Sequence, residues 1–169
     1  MKLFNYIIIA IAGAFLLTSC EKKDYPKGLE SMEHHYYAIF VPNNNTAVTV
    51  ARTQTALLKF PVQFYSTYTR SYDAVAKYAV TTFGIATPAV RGVDYDIVDK
   101  NGTVIPYTDT TYTMVFPKAV QATDTIYVKM LNNPAAGSRR MEIQMLENKT
   151  NEFYVDIFST AFRRPVTIN

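Results

Sequence analysis

Apolar and polar side chains alternate along residues 58–65, which read Leu58-Lys59-Phe60-Pro61-Val62-Gln63-Phe64-Tyr65. In an extended strand, successive side chains point to opposite faces of the sheet. One face therefore carries the apolar residues, and the other carries Lys59, Gln63 and Tyr65. This period of two predicts a β-strand that buries one face in a core.

The same period recurs at 124–131, 139–146 and 153–157. Further candidate strands are 35–41, 46–51, 76–83, 93–98, 103–107, 111–116 and 165–168. The 13 tyrosines and 10 phenylalanines favour strand over helix, and no window keeps a helical apolar stripe over three turns. The pattern predicts an all-β fold over residues 35–169, namely a single immunoglobulin-like antiparallel β-sandwich of roughly eight to ten strands.

The alternation also predicts which side chains form the core. The residues expected to be buried are Phe60, Val62, Phe64, Ile126, Val128, Ile143, Val155 and Ile157. Between two candidate strands, Asn101-Gly102 indicates a two-residue hairpin turn, because such a turn needs positive φ and these residues tolerate it best.

An apolar run at the N-terminus predicts export. Residues 3–17 are almost uninterrupted apolar side chains, too few for the about 20 residues that cross a bilayer but typical of a signal peptide. Leu17-Thr18-Ser19-Cys20 resembles the bacterial lipobox, which implies that residues 1–19 are removed and that Cys20 carries lipid. We therefore expect an outer-membrane lipoprotein that faces the cell surface or the periplasm and has the membrane as a partner.

Residues 20–34 are expected to form a flexible tether, because they are charged at first and interrupted by Pro26 and Gly28. Residues 35–169 have the size of one domain.

In the whole chain, 17 basic residues nearly balance 14 acidic ones, and no basic cluster exceeds two residues. A nucleic-acid partner is therefore not expected.

A motif before the candidate strand 93–98 carries a family resemblance. Within Phe83–Tyr95, the residues Ala89-Val90-Arg91-Gly92-Val93-Asp94-Tyr95 are similar to the A-x-x-G-x-D-Y signature of Calx-beta-like immunoglobulin sandwiches. Residues 40–169 resemble the uncharacterised Calx-beta-like surface lipoproteins of Bacteroidetes, which commonly belong to glycan-uptake loci or to small lipoprotein operons. The resemblance implies a structural turn at Gly92 and Asp94, with Tyr95 buried.

Calx-beta domains proper can bind calcium through acidic loops. Here Asp94, Asp96 and Asp99 offer three carboxylates, whereas calcium takes six to eight oxygen ligands. Alternation also separates Asp99 from the other two across the strand. We expect neither a metal site nor a cofactor.

Catalytic residue types are scarce. The only histidines are the adjacent His34 and His35, and neighbours in an extended chain point to opposite sides, so the two cannot face one site. Cys20 is expected to carry lipid, and the nucleophile motif G-x-S-x-G does not occur in the sequence. We expect no enzyme activity.

Aromatic residues offer a candidate ligand platform. Tyr65, Tyr68, Arg70 and Tyr72 lie close together in sequence, and exposed rings can stack on sugars while an arginine bonds the hydroxyls. Outward-facing tyrosines are also ordinary strand residues, so a purely structural role stays open.

Two short motifs are similar to the Bacteroidetes O-glycosylation acceptor, namely Asp109-Thr110-Thr111 and Asp124-Thr125-Ile126. Only the first is expected to be exposed.

The leading hypothesis is a non-catalytic accessory module that binds a glycan or another envelope protein. The alternative is a structural subunit of a fimbria-like or envelope assembly that acts through edge strands. A row of exposed aromatic side chains on one sheet face would favour the first hypothesis. An uncharged edge strand would favour the second.

Replacing Cys20 tests the anchor. We expect Cys20→Ala to leave the protein unprocessed or to release it into the soluble fraction, because lipidation permits cleavage after Ser19. Membrane fractionation with mass spectrometry of the N-terminus measures both effects. Ser19→Ala keeps the cysteine beside a small residue and should remain lipidated. A Cys20→Ala protein that is still acylated and membrane-bound would contradict the assignment.

Overall fold

A computed structural model of the chain describes residues 34–66, 71–106, 110–118 and 121–169. They belong to one compact unit, His34–Asn169. Cys20, residues 1–19 and residues 20–33 lie outside the described residues. Across the described ranges, no helix is long and apolar enough to cross a bilayer.

The described residues form two β-sheets. The strands are β1 (His35–Phe40), β2 (Val48–Val50), β3 (Leu58–Tyr65), β4 (Ala74–Thr81), β5 (Tyr95–Val98), β6 (Thr111–Phe116), β7 (Gln121–Met130), β8 (Arg139–Leu146), β9 (Asn148–Lys149), β10 (Tyr154–Asp156) and β11 (Arg163–Ile168). One sheet has the order β5-β7-β3-β1-β10-β9, and the other has the order β2-β11-β8-β4-β6. The fold is therefore an all-β sandwich, as the alternation predicts.

Strand β3 lies inside the first sheet and pairs on both sides. It is antiparallel to β7 from Leu58↔Val128 to Tyr65↔Gln121, and it is also antiparallel to β1. Its alternation is visible in the burial: Phe60, Val62 and Phe64 are almost fully buried, whereas Tyr65 is exposed. The alternation within this strand thus determines which face of the sheet meets the core.

Two strand pairs depart from the antiparallel arrangement that the sequence suggested. β1 runs parallel to β10, and β2 runs parallel to β11. The cause is the path of the chain after β1. The chain leaves the first sheet after Phe40 and enters the second sheet at Val48. One early segment thereby supplies a strand to each sheet.

The core follows the prediction with one correction. Seven of the eight predicted core residues are buried, but Ile157 is only partly buried. β10 ends at Asp156, and the Asp156 carboxylate accepts the Ile157 N–H at 2.7 Å. Because the extended conformation stops there, the period of two no longer holds at Ile157.

The predicted turn at Asn101-Gly102 is wider than two residues. The Asp99 N–H donates to the Thr103 carbonyl at 2.8 Å, which encloses a three-residue loop, Lys100–Gly102. Gly102 has φ +86°, but Asn101 is not among the positive-φ residues described. The side chain of Asp99 accepts the N–H groups of Asn101 and Thr103 and so favours the wider loop. Of the candidate strand 103–107, residue 107 lies outside the described residues, and the described part forms one isolated bridge, Val98↔Val104.

Truncating Phe64 tests the core assignment. The side chain is fully buried, and its ring stacks on Phe116 with 4.9 Å between centroids. We expect Phe64→Ala to lower the free energy of unfolding by about 3–5 kcal/mol, because a cavity replaces the ring. The exposed neighbour provides the control, since Tyr65→Ala should cost about 1 kcal/mol or less. An unchanged urea midpoint for Phe64→Ala would mean that the two faces are exchanged.

Candidate functional site

The turn before β5 is held by Asp94. Its carboxylate accepts the Val90 N–H at 2.7 Å and the Asn133 side-chain amide at 2.6 Å. Gly92 has φ +76°, a conformation that side chains with a Cβ rarely adopt, and Tyr95 is buried. These residues connect the turn to the loop after β7.

The other two acidic residues of this region also have partners within the fold. Asp96 lies 3.6 Å from the guanidinium of Arg91. The hydrogen bonds from the Thr103 and Asn101 N–H groups lower the pKa of Asp99 below its ordinary value. Each of the three carboxylates in the suggested calcium loop thus has a protein contact of its own.

The four predicted ligand residues are not all described. Tyr65 is 58% exposed at the end of β3, whereas Tyr68 and Arg70 lie outside the described residues. Tyr72 is half-buried and stacks on Phe153 with 5.4 Å between ring centroids. Its ring is therefore engaged in packing within the domain.

The two histidines point to opposite sides of the chain at the start of β1, as expected for neighbours in an extended segment. His34 Nδ1 is 2.8 Å from the hydroxyl of Tyr72, which in turn bonds the buried Tyr36. His35 Nε2 is 2.9 Å from a carboxylate oxygen of Asp156 on β10. The outward-facing His35 belongs to a larger surface feature.

That feature is an exposed group of rings on the outer face of the first sheet, which we call the aromatic patch. Its residues are His35, Tyr37, Tyr65, Tyr154 and Phe158. Tyr37 is 40% exposed, Tyr65 58% and Phe158 38%. Soluble domains seldom expose several large rings side by side without a binding role.

Strand pairing assembles the patch. The parallel register of β1 and β10 places His35 opposite Tyr154, and their rings stack with 4.7 Å between centroids. The antiparallel register of β1 and β3 places Tyr37 opposite Tyr65. Phe158 meets Tyr37 edge-on at 5.6 Å. The rings therefore come from three strands and the segment after β10.

Charged groups accompany the rings. The Lys149 ammonium lies 5.8 Å from the Tyr154 ring centroid. Burial, together with the neighbouring carboxylates of Glu147 and Asp156, raises the pKa of Tyr154 above its ordinary value. Burial alone would raise the pKa of Asp156, but hydrogen bonds from the Ile157 N–H and His35 outweigh it and keep that pKa low. Near neutral pH the patch thus combines a tyrosine hydroxyl and a carboxylate with apolar ring faces.

Of the members of the patch, only Tyr65 was predicted from the sequence. The contact of His35 with Tyr154 could not be predicted, because a parallel pairing between segments so distant in sequence leaves no local pattern. Alternation within β1 nevertheless contained a usable signal, since Tyr36 and Tyr37 must face opposite sides. The outward ring of Tyr37 could have been inferred from that.

A second surface bears on the alternative hypothesis. β6 (Thr111–Phe116) forms one edge of the second sheet in the described part of the chain, and it contains neither proline nor a charged residue. Val115 on this strand is 50% exposed. Charge and proline are common means of protecting an edge from strand addition, and β6 has neither.

The two candidate glycosylation sites differ in placement. Thr110 is exposed, and Asp109 lies outside the described residues. Thr125 is half-buried within β7. Of the two threonines, Thr110 is the more accessible.

No protein-family model and no curated protein matches the chain. Among solved structures it is similar to a Calx CBD1 domain in its apo form, with 13% identity and a TM-score of 0.47 over 79% of this chain and 97% of that one. It is also similar to a two-domain Bacteroides fragilis protein of unknown function, with 9% identity and a TM-score of 0.48 over 88% of this chain and 51% of that one. At such identities and scores, neither likeness says what this chain binds.

Removing the Asp94 carboxylate tests its structural role. We expect Asp94→Ala to lower the free energy of unfolding by about 1–3 kcal/mol, because the Val90 N–H and the Asn133 amide lose their acceptor. Asp73→Ala removes an exposed carboxylate and serves as the control. Millimolar calcium should leave the thermal midpoint of the unaltered protein unchanged. A rise of several degrees would show that calcium binds the folded state, contrary to a purely structural role.

Proposed function

We propose that the chain is a non-catalytic, outer-membrane-anchored lipoprotein that acts as an accessory binding module, with a glycan as its ligand. The aromatic patch is the observation that carries the proposal. Three of its rings, those of Tyr37, Tyr65 and Phe158, are exposed, and the patch adjoins both a carboxylate and an ammonium group. A sugar presents apolar C–H faces and hydroxyl groups together, so this combination suits it.

The packing of the patch also favours recognition over a merely structural role. His35 is held by Asp156 on one side and by the Tyr154 ring on another. Tyr37 contacts both His35 and Phe158. Side chains fixed in this way lose little conformational freedom when a ligand binds, which improves affinity. The exposed face of Tyr37 is thus a preorganised platform, and Tyr65 lies opposite it on the neighbouring strand.

The sequence supports the same assignment independently. The lipobox-like segment ending at Cys20 provides the anchor, and the resemblance to Bacteroidetes surface lipoproteins of glycan-uptake loci fits a glycan ligand. The lipobox-like segment and the family resemblance support the proposed location and the class of ligand, whereas the aromatic patch supports the proposed binding surface.

A structural subunit that assembles by strand addition is the second candidate, and the uncharged edge of β6 favours it. The two candidates use different residues, on different sheets. Substitutions in the patch therefore distinguish them, because they leave the edge of β6 intact.

A glycan array with the full chain in detergent tests the proposal. We expect binding to at least one glycan, and we expect Tyr37→Ala and Tyr65→Ala each to weaken it about tenfold, because a stacked ring is lost. Phe83→Ala is the matched control, since Phe83 is 96% exposed on the connection between β4 and β5 and lies outside the patch. Its affinity should equal that of the unaltered protein.

Two results would contradict glycan binding by the patch. One is an array without signal above background. The other is an affinity that falls equally in the patch variants and in Phe83→Ala, which would indicate nonspecific adsorption to exposed rings.

A further inference from the structure

A cavity lies at the other side of the first sheet, where β5 is shorter than its neighbour β7. β5 pairs with β7 only from Tyr95↔Met130 to Val98↔Tyr127, while β7 continues to Gln121. The chain turns away at Asp99 and leaves a notch of about 340 Å³. Its lining residues are Tyr78, Val98, Asp99, Lys100, Ile105, Asp124, Thr125 and Tyr127.

Tyr78 reaches the notch from the opposite sheet. It belongs to β4, is only 3% exposed, and stacks on Tyr112 with 4.9 Å between ring centroids. The ring of Tyr78 is packed in the core, and the residue also lines the notch. A phenol hydroxyl can both donate and accept a hydrogen bond, so Tyr78 brings such a group to the notch from the second sheet.

The protonation state of Tyr78 suits a donor. Burial raises its pKa above the ordinary value, and the negative charge of Asp124 raises it further. The phenol therefore stays neutral over the physiological range and keeps its proton for a hydrogen bond.

The remaining lining groups offer complementary chemistry. One carboxylate oxygen of Asp124 accepts the Thr125 N–H at 2.7 Å, which leaves the other oxygen as an acceptor. Lys100 and the hydroxyl of Thr125 supply donors, and Val98 and Ile105 supply apolar surface. Asp99 is already engaged with the N–H groups of its own hairpin.

We infer that this notch binds one sugar unit or another polyhydroxylated molecule of that size. The volume lies near the lower end of that of small-molecule sites, which suits a monosaccharide better than a larger ligand. The lining combines the phenol of Tyr78 with a carboxylate, an ammonium group and apolar surface, and a polyhydroxylated ring can contact all of them at once. The notch shares no residue with the aromatic patch, so this inference does not depend on the proposed function.

Isothermal titration of the full chain in detergent tests the inference, with the methyl glycosides of glucose, galactose and N-acetylglucosamine and with myo-inositol as probes. We expect at least one probe to bind. Tyr78→Phe removes only the hydroxyl and keeps the stacked ring, so it should weaken binding about tenfold. The thermal midpoint of Tyr78→Phe should stay close to that of the unaltered protein, because the stacked ring and its packing are kept.

Two further variants separate the notch from its surroundings. Tyr112→Phe changes the ring that stacks on Tyr78 without altering the lining, and it should bind the probe as the unaltered protein does. Tyr37→Ala alters the aromatic patch and should also leave this affinity unchanged, even if the array finds no glycan for the patch.

Three results would overturn the inference. The first is that no probe binds at about 10 mM, the weak end of specific recognition. The second is that Tyr78→Phe binds the probe as well as the unaltered protein does. The third is that Tyr78→Phe has a lower thermal midpoint. The last result would mean that the hydroxyl stabilises the fold itself.

Discussion

The pairing of β3 with β7 and β1 determines which side chains face the core and which face solvent. β3 is bonded along its whole length to β7, and on its other side it fixes the register of β1. Because side chains alternate with a period of two, a slip of one residue would bury Tyr65 and expose Phe64. The cost of exposing Phe60, Val62 and Phe64 together holds the register in place.

Both surface features depend on this sheet. β1 is held by β3, and its parallel contact with β10 then brings Tyr154 and Asp156 beside His35. On the opposite side, β5 ends after four residues while β7 continues, and the notch results from that difference in length. The sheet thus supplies a flat aromatic surface through close pairing and a small concave site through incomplete pairing.

Local patterns of the sequence predict the local parts of this structure. Phe60, Val62 and Phe64 could be assigned to the core because the period of two is a property of neighbouring residues. Gly92 and Asp94 were assigned to a turn through the motif similar to the Calx-beta signature, and a glycine and a short acidic side chain suit that role. In contrast, Ile157 and the loop at Asn101 depended on where the strand or turn ends, which is decided by side-chain hydrogen bonds of Asp156 and Asp99.

The candidate sites depended on contacts between distant segments, which have no signature in a single sequence. Tyr65 was recognisable as an outward aromatic residue, but the strand pairing that places it opposite Tyr37, and the contact of Tyr37 with Phe158, were not. Tyr78 is identifiable in the sequence as an inward residue of a strand. Its hydroxyl becomes distinctive only where β5 ends early and opens the space around it.

The parallel pairing of β1 with β10 assembles the aromatic patch on the solvent side of the sheet, and the proposed function depends on this pairing. A nuclear Overhauser spectrum of the full chain, with aromatic side chains selectively labelled, tests it directly. We expect cross-peaks between the ring protons of His35 and Tyr154, whose centroids are 4.7 Å apart, and between those of Tyr37 and Phe158, at 5.6 Å. Absence of both cross-peaks, in a spectrum that shows the buried contact of Phe64 with Phe116, would contradict it.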